Sequence, residues 1–86
     1  MAEKGVPKPK IRVVVPIVEY DRVKHEGKVY KTDRIILKDF TQNKIRGEVQ
    51  YKYHTLFEAW FNLDVFEERV YLIIDGVPIF IGTVVI

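Results

Sequence analysis

Apolar and polar residues alternate most regularly between Lys44 and His54. Ile45, Gly47, Val49, Tyr51 and Tyr53 fall on one side, and Lys44, Arg46, Glu48, Gln50, Lys52 and His54 on the other. A period of two marks a half-buried strand, here with a markedly basic outer face. The same reading gives two earlier strands. The first runs over Lys10–Val23, where Ile11, Val13, Val15 and Ile17 share a face. Pro16 interrupts that run and cannot donate to a ladder, so a bend or bulge is expected there. The second covers Lys28–Asp39, with Ile35 and Leu37 inward and Arg34, Ile36 and Lys38 outward.

After His54 the pattern reads differently. Thr55 with Glu58 three residues later forms a capping-box pattern. Leu56, Phe57, Trp60, Phe61 and Leu63 then make a stripe that predicts a short amphipathic helix ending near Asp64, with Trp60 and Phe61 packing it onto the sheet. Two further strands, "RVYLII" and "VPIFIGTVVI", flank Asp75-Gly76. That dipeptide is a strong two-residue hairpin signal, because a type I′ turn needs φ > 0 at both positions. Pairing across it gathers Val70, Leu72, Ile74, Val77, Ile79 and Ile81 on one face and Tyr71, Ile73, Pro78 and Phe80 on the other. Both faces are apolar, which predicts burial on two sides or an interface.

Composition narrows the chemistry. Eighty-six residues make one domain, read as residues 10–86, preceded by a flexible basic arm over residues 1–9. Cys and Ser are both absent, which removes thiolate chemistry, disulfides, Cys-based zinc sites and the commonest nucleophile. His25 and His54 lack ligand spacing, and Glu67 and Glu68 are adjacent and so face apart. No catalytic group, metal or other cofactor is expected, and the chain is read as a non-enzyme. The many Lys, Glu and Ile residues give a thermophile-like profile. The longest apolar run is ten residues, "VPIFIGTVVI", against the ~20 that a membrane helix needs. No membrane partner is expected, and an intracellular location is the default. Net charge is +2 but uneven: residues 1–54 carry 13 basic and 7 acidic groups (+6), and residues 55–86 carry 1 and 5 (−4). One positively charged surface is therefore expected.

The predicted order is strand, strand, strand, helix, strand, strand. That is the order of a mainly β (α+β), five-stranded OB-like Greek-key barrel with one helix between strands three and four. The stretch "RIILKDFTQNKIRGEVQYKY" resembles the strand two–turn–strand three signature of replication-protein-A-like OB-fold domains. "LFEAWFNLDVFEERVYLIIDGVPIFIG" is similar to their helix and fourth strand. The resemblance covers roughly residues 28–82. It implies binding of single-stranded DNA or RNA across strands two and three. The residues implied are Tyr30, Arg34, Ile36, Lys38, Arg46, Gln50 and Lys52, with Lys24 and Lys28 extending the track from the first loop. The family's strand-three stacking aromatic falls here at Gln50, and its loop aromatic falls in the short Asp75-Gly76 turn. Tyr51 and Tyr53 are assigned inward by alternation. A second function is therefore also expected: a protein–protein interaction subunit of a DNA- or RNA-processing complex, or a homo-oligomer. It would assemble through the apolar C-terminal hairpin, by Tyr71, Phe80, Val84 and Ile86.

Overall fold

The structure is a computed structural model, and it describes residues 10–13, 15–41 and 43–85. The basic arm expected over residues 1–9 and the interface position Ile86 lie outside the described residues. Nine strands are described: β1 Lys10–Val13, β2 Ile17–Val18, β3 Arg22–His25, β4 Lys28–Lys31, β5 Arg34–Phe40, β6 Lys44–Tyr51, β7 His54–Phe66, β8 Arg69–Ile74 and β9 Val77–Val85. Seven form one antiparallel sheet in the order β1-β9-β8-β7-β6-β5-β2, while β3 and β4 form a separate two-stranded ribbon.

The stretch read as the first strand bends that sheet into a nearly closed, barrel-like form. β1 pairs with β9 and β2 pairs with β5, at opposite ends of the strand order. Between them the Val15 N–H donates to the Ile81 carbonyl at 3.1 Å, and the Pro16 carbonyl accepts from Leu37 N–H at 2.9 Å. Adjacent residues thus bond to opposite edges. Proline fits this place because its missing donor is not needed where the chain changes partners. The bend expected at Pro16 is present. It also shifts the phase: Val15 packs against the core and Val18 is buried, but Ile17 is 44% exposed.

The expected helix is replaced by a strand. Residues 54–66 form β7, whose first part pairs with β6 (Gln50↔Thr55 through Lys44↔Asn62) and whose last four residues pair with β8 (Leu63↔Leu72 through Phe66↔Arg69). Phe57, Ala59, Phe61 and Leu63 turn inward, a period of two that Leu56 and Trp60 obscured by adding apolar residues to the outer face. Aromatic and branched residues fit a pleated surface, and partners on both sides outweigh a local capping pattern. The barrel is therefore mainly β, with more than five strands and no helix among the described residues.

The two long N-terminal strands are also divided. The first ends in the isolated ribbon strand β3. The second is cut into β4 and β5 at Thr32-Asp33, where Thr32 is buried, donates its hydroxyl to the Tyr20 carbonyl and bonds Asp21 through its N–H. These local bonds satisfy the backbone where the chain leaves the ribbon and enters the barrel. The core is aliphatic: Val18, Val23, Ile35, Ile45, Val49, Val70, Leu72, Ile74 and Ile81, ringed by half-buried residues including Leu37, Phe57, Phe61 and Ile79. Ile45, Gly47 and Val49 point inward as their alternation requires. Gly47 is fixed by closeness, since a Cβ there would lie 2.7 Å from Ile35 Cγ2 and 2.9 Å from Phe61 Cε2.

Four hairpins turn on two residues that both have positive φ: Glu26-Gly27, Lys52-Tyr53, Glu67-Glu68 and Asp75-Gly76. This is the type I′ geometry, which matches the twist of the strands it joins. Asp75-Gly76 was legible from its residues, and its register is as expected from Ile74 opposite Val77 through Leu72 opposite Ile79 to Tyr71 opposite Phe80, beyond which a register shift sets Val70 opposite Gly82 instead of Ile81. Lys52-Tyr53 and Glu67-Glu68 contain no residue that favours φ > 0.

Candidate functional site

The outer face of β5 and β6 holds Arg34, Ile36 and Lys38 beside Arg46 and Gln50, with Arg34 opposite Gln50 and Ile36 opposite Glu48. Lys52 follows in the turn after β6. The expected cations therefore share one wall, but two kinds of environment divide them.

In the middle of that wall the charges are compensated. Lys38 Nζ lies 2.7 Å from Glu48 and 3.7 Å from Glu58. The Arg46 guanidinium pairs with Asp39 and lies 3.9 Å from Glu58. Glu48 also accepts from Gln50 Nε2 at 2.9 Å and from the Thr55 hydroxyl. The hydrogen bond from Lys38, followed by those from Thr55 and Gln50, holds the Glu48 carboxyl well below the usual range, at about 2. The same bond raises Lys38 above its ordinary value. Two cations facing three carboxylates make this patch a closed network with no surplus positive charge. Ile36 is half-buried beside it, opposite Ile17 of β2.

The rim of the barrel is different. The ribbon β3–β4 packs its inner side onto β7: Val23 is buried, His25 stacks on Phe57 at 4.2 Å, and Tyr30 tilts against Phe57 at 4.8 Å. Tyr30, expected among the outward residues, is thus on the inner side, with Lys28 Nζ 5.2 Å from its ring. The other side carries Arg22 opposite Lys31 and Lys24 opposite Val29. Like charges directly opposite on an antiparallel pair are destabilising unless an anion lies between them. Lys31 Nζ also sits 5.6 Å from the Tyr51 ring centre, and Lys52 Nζ sits 5.3 Å from it. Next to them Arg34 lies 4.7 Å from the ring of Tyr53, which is 80% exposed rather than turned inward, because it occupies the turn with φ 68.

Arg22, Lys31, Lys52 and Arg34 therefore form a cationic track around Tyr51 and Tyr53, with Lys24 on the same side of the ribbon, its N–H donating to the Asp75 carboxylate at 3.1 Å. Among the described residues the only carboxylate in ion-pair range of the five is Asp33, 3.8 Å from Arg34. Asp33 also accepts the Lys52 N–H at 2.7 Å, which anchors the turn that presents Tyr53. Such a surface offers ammonium and guanidinium groups to an anion and aromatic faces to a flat partner. Lys24, Arg34 and Lys52 were expected here; Arg22, Lys31, Tyr51 and Tyr53 were not. The missed signal was Glu26-Gly27, a two-residue turn flanked by alternating residues that resembles Asp75-Gly76.

The opposite wall is apolar. Tyr71 and Phe80 meet edge to face at 6.1 Å, with Ile73 and Pro78 alongside and Phe66 63% exposed. Val84 instead packs against the core, and its N–H donates to the Glu68 carbonyl at 2.9 Å. No helix among the described residues is long and apolar enough to cross a membrane.

No family model, curated protein or solved structure matches the chain.

Proposed function

We propose that the protein is a non-enzymatic accessory factor that binds single-stranded nucleic acid along the rim track. The observation that carries this reading is half-buried Tyr51 with the ammonium groups of Lys31 and Lys52 5.6 and 5.3 Å from its ring centre, and Arg34 4.7 Å from the ring of exposed Tyr53. Cations neutralise phosphates and release counterions, while exposed aromatic rings stack with bases of any identity. The footprint shifts from the centre of the β5–β6 wall, where Lys38 and Arg46 are already engaged, to the ribbon and the β6–β7 turn. That role would place the protein inside the cell.

The test is a titration with a labelled single-stranded oligonucleotide at rising salt. Neutralisation of four or five phosphates gives a log–log salt slope of about −3. Lys31→Glu with Lys52→Glu should abolish binding, and Lys38→Glu should leave it nearly intact. Binding that is insensitive to salt, or lost equally in Lys38→Glu, removes the reading.

A second reading is favoured by the apolar wall of Tyr71, Ile73, Pro78 and Phe80: assembly with a protein partner or a second copy. Light scattering with wild type and Phe80→Glu decides it, since a monomer that Phe80→Glu leaves unchanged excludes self-association there.

A further inference from the structure

We infer a base-stacking subsite at Trp60, at the other end of the β6–β7 hairpin from the rim track; the inference rests on the nucleic-acid reading above. Trp60 lies on the outer side of β7, opposite Arg46, and is 52% exposed while its neighbours Ala59 and Phe61 turn inward. It forms one wall of a recess completed by Thr41, Asn43 and Lys44.

Hydrogen bonds tie Thr41, Asn43 and Lys44 to one another along the rest of that recess. The Thr41 N–H donates to the Lys44 carbonyl at 2.7 Å, and the Thr41 hydroxyl accepts from Lys44 N–H at 3.1 Å and from Asn43 N–H at 3.4 Å. The hydroxyl also lies 3.2 Å from Asn43 Oδ1. The one hydroxyl proton is shared between Asn43 Oδ1 and the Lys44 carbonyl, 3.3 Å away, while the Asn43 NH₂ group has no acceptor among the described residues. Lys44 likewise has no carboxylate within ion-pair range among them. Residues bearing an indole, an amide and an ammonium group line one hollow. An unpaired base stacked on the indole, edge-bonded to Asn43 and with its phosphate on Lys44, satisfies all three.

Spacing agrees with one strand reaching both places. Arg46 is opposite Trp60 and Tyr51 is opposite His54, and five residues of strand span about 17 Å. That is within reach of a short oligonucleotide, and small β-barrels commonly cover ~4–16 nucleotides. The patch of Lys38 and Arg46 with Asp39, Glu48 and Glu58 runs from the Trp60 end, where Arg46 is its opposite residue, toward the rim, and with three carboxylates to two cations it adds no phosphate contacts of its own.

The chain has one tryptophan, so its fluorescence reports this subsite alone. Titration with oligothymidylate should quench that emission at saturation. An abasic phosphodiester of the same length should still bind through the track without quenching. Trp60→Ala should weaken oligothymidylate binding by about 5- to 150-fold, read by anisotropy of the labelled oligonucleotide, and Trp60→Phe should retain most of it. Oligonucleotide binding with unchanged emission and an unaffected Trp60→Ala variant overturns the subsite and leaves the track standing. Equal quenching by the abasic strand overturns base stacking. No binding by the wild-type chain overturns both readings, and quenching by a proline-rich peptide in its place assigns the recess to a protein ligand.

Discussion

Replacing Lys52-Tyr53 by Asn-Gly should stabilise the protein slightly while weakening its binding. Both residues have positive φ, 49° for Lys52 and 68° for Tyr53. A left-handed conformation costs an ordinary L-residue roughly 1–2 kcal/mol, so the pair stores about 2–4 kcal/mol that Asn-Gly would largely release. Against this stand the backbone entropy of the new glycine, about 0.5–1 kcal/mol, and two exposed cation–π contacts, about 0.5–1 kcal/mol each. Those contacts are Lys52 with Tyr51 and Arg34 with Tyr53. The net gain is about 0.5 kcal/mol, or roughly 2–4 °C in Tm for a domain of this size. Glu67-Glu68 is the internal control. It has the same geometry, with φ 51° and 67°, and no aromatic contact among the described residues, so Asn-Gly there should raise Tm by on the order of 10 °C. Thermal unfolding followed by circular dichroism measures both. Oligonucleotide affinity should fall about 5- to 150-fold in the first variant, with a salt slope shallower by about 0.7, and stay unchanged in the second. A drop in Tm for Lys52-Tyr53→Asn-Gly would refute the strain argument; unchanged affinity would refute the assignment of Tyr53 to the track.

Gly47→Ala should destabilise by about 1–3 kcal/mol in urea denaturation, because the new methyl collides with the branched side chain of buried Ile35. Combining it with Ile35→Ala should cost less than the sum of the two single changes, and simple additivity would show that the collision is relieved elsewhere. The Glu48 carboxyl lies at about 2 in the folded chain, below its ordinary 4.5. Its contribution is therefore complete above about pH 4.5 and lost as pH falls toward 2. Glu48→Gln should flatten that acid limb in a pH series of melting curves. Lys38, raised above 10.5, contributes below that pH and loses its share as the solution becomes more alkaline.

Much of the barrel was legible where polarity and turn chemistry agreed. Ile45, Gly47 and Val49 announced their inward face, Asp75-Gly76 its hairpin, and Pro16 the bend that nearly closes the sheet. β7 was not legible, because Leu56 and Trp60 add apolar residues to an outer face and so counterfeit a helical stripe. Its real period depends on β6 and β8, which lie beyond the reach of local propensity. The candidate site divided in the same way. Alternation placed Arg34, Lys38, Arg46, Glu48 and Gln50 on one wall, but it could not register that Asp39 and Glu58 join them there as further counter-charges from β5 and β7. Nor could it show Tyr53 outward, since that follows from a left-handed turn built of residues that do not favour one.

The double pairing of the first strand sets the order in which this molecule can be completed. Lys10–Val13 must find Gly82–Val85, so the earliest part of the domain to be synthesised waits for the latest. Until then β9 and β5 each expose a row of unsatisfied amides and carbonyls, the template that another copy's strand would fill. Closure between distant ends of the chain also makes folding slow relative to a helical protein of equal length. High concentration during refolding should therefore favour strand-exchanged assemblies, and a circular permutant that joins the two termini and opens the chain at the Glu67-Glu68 turn should suppress them.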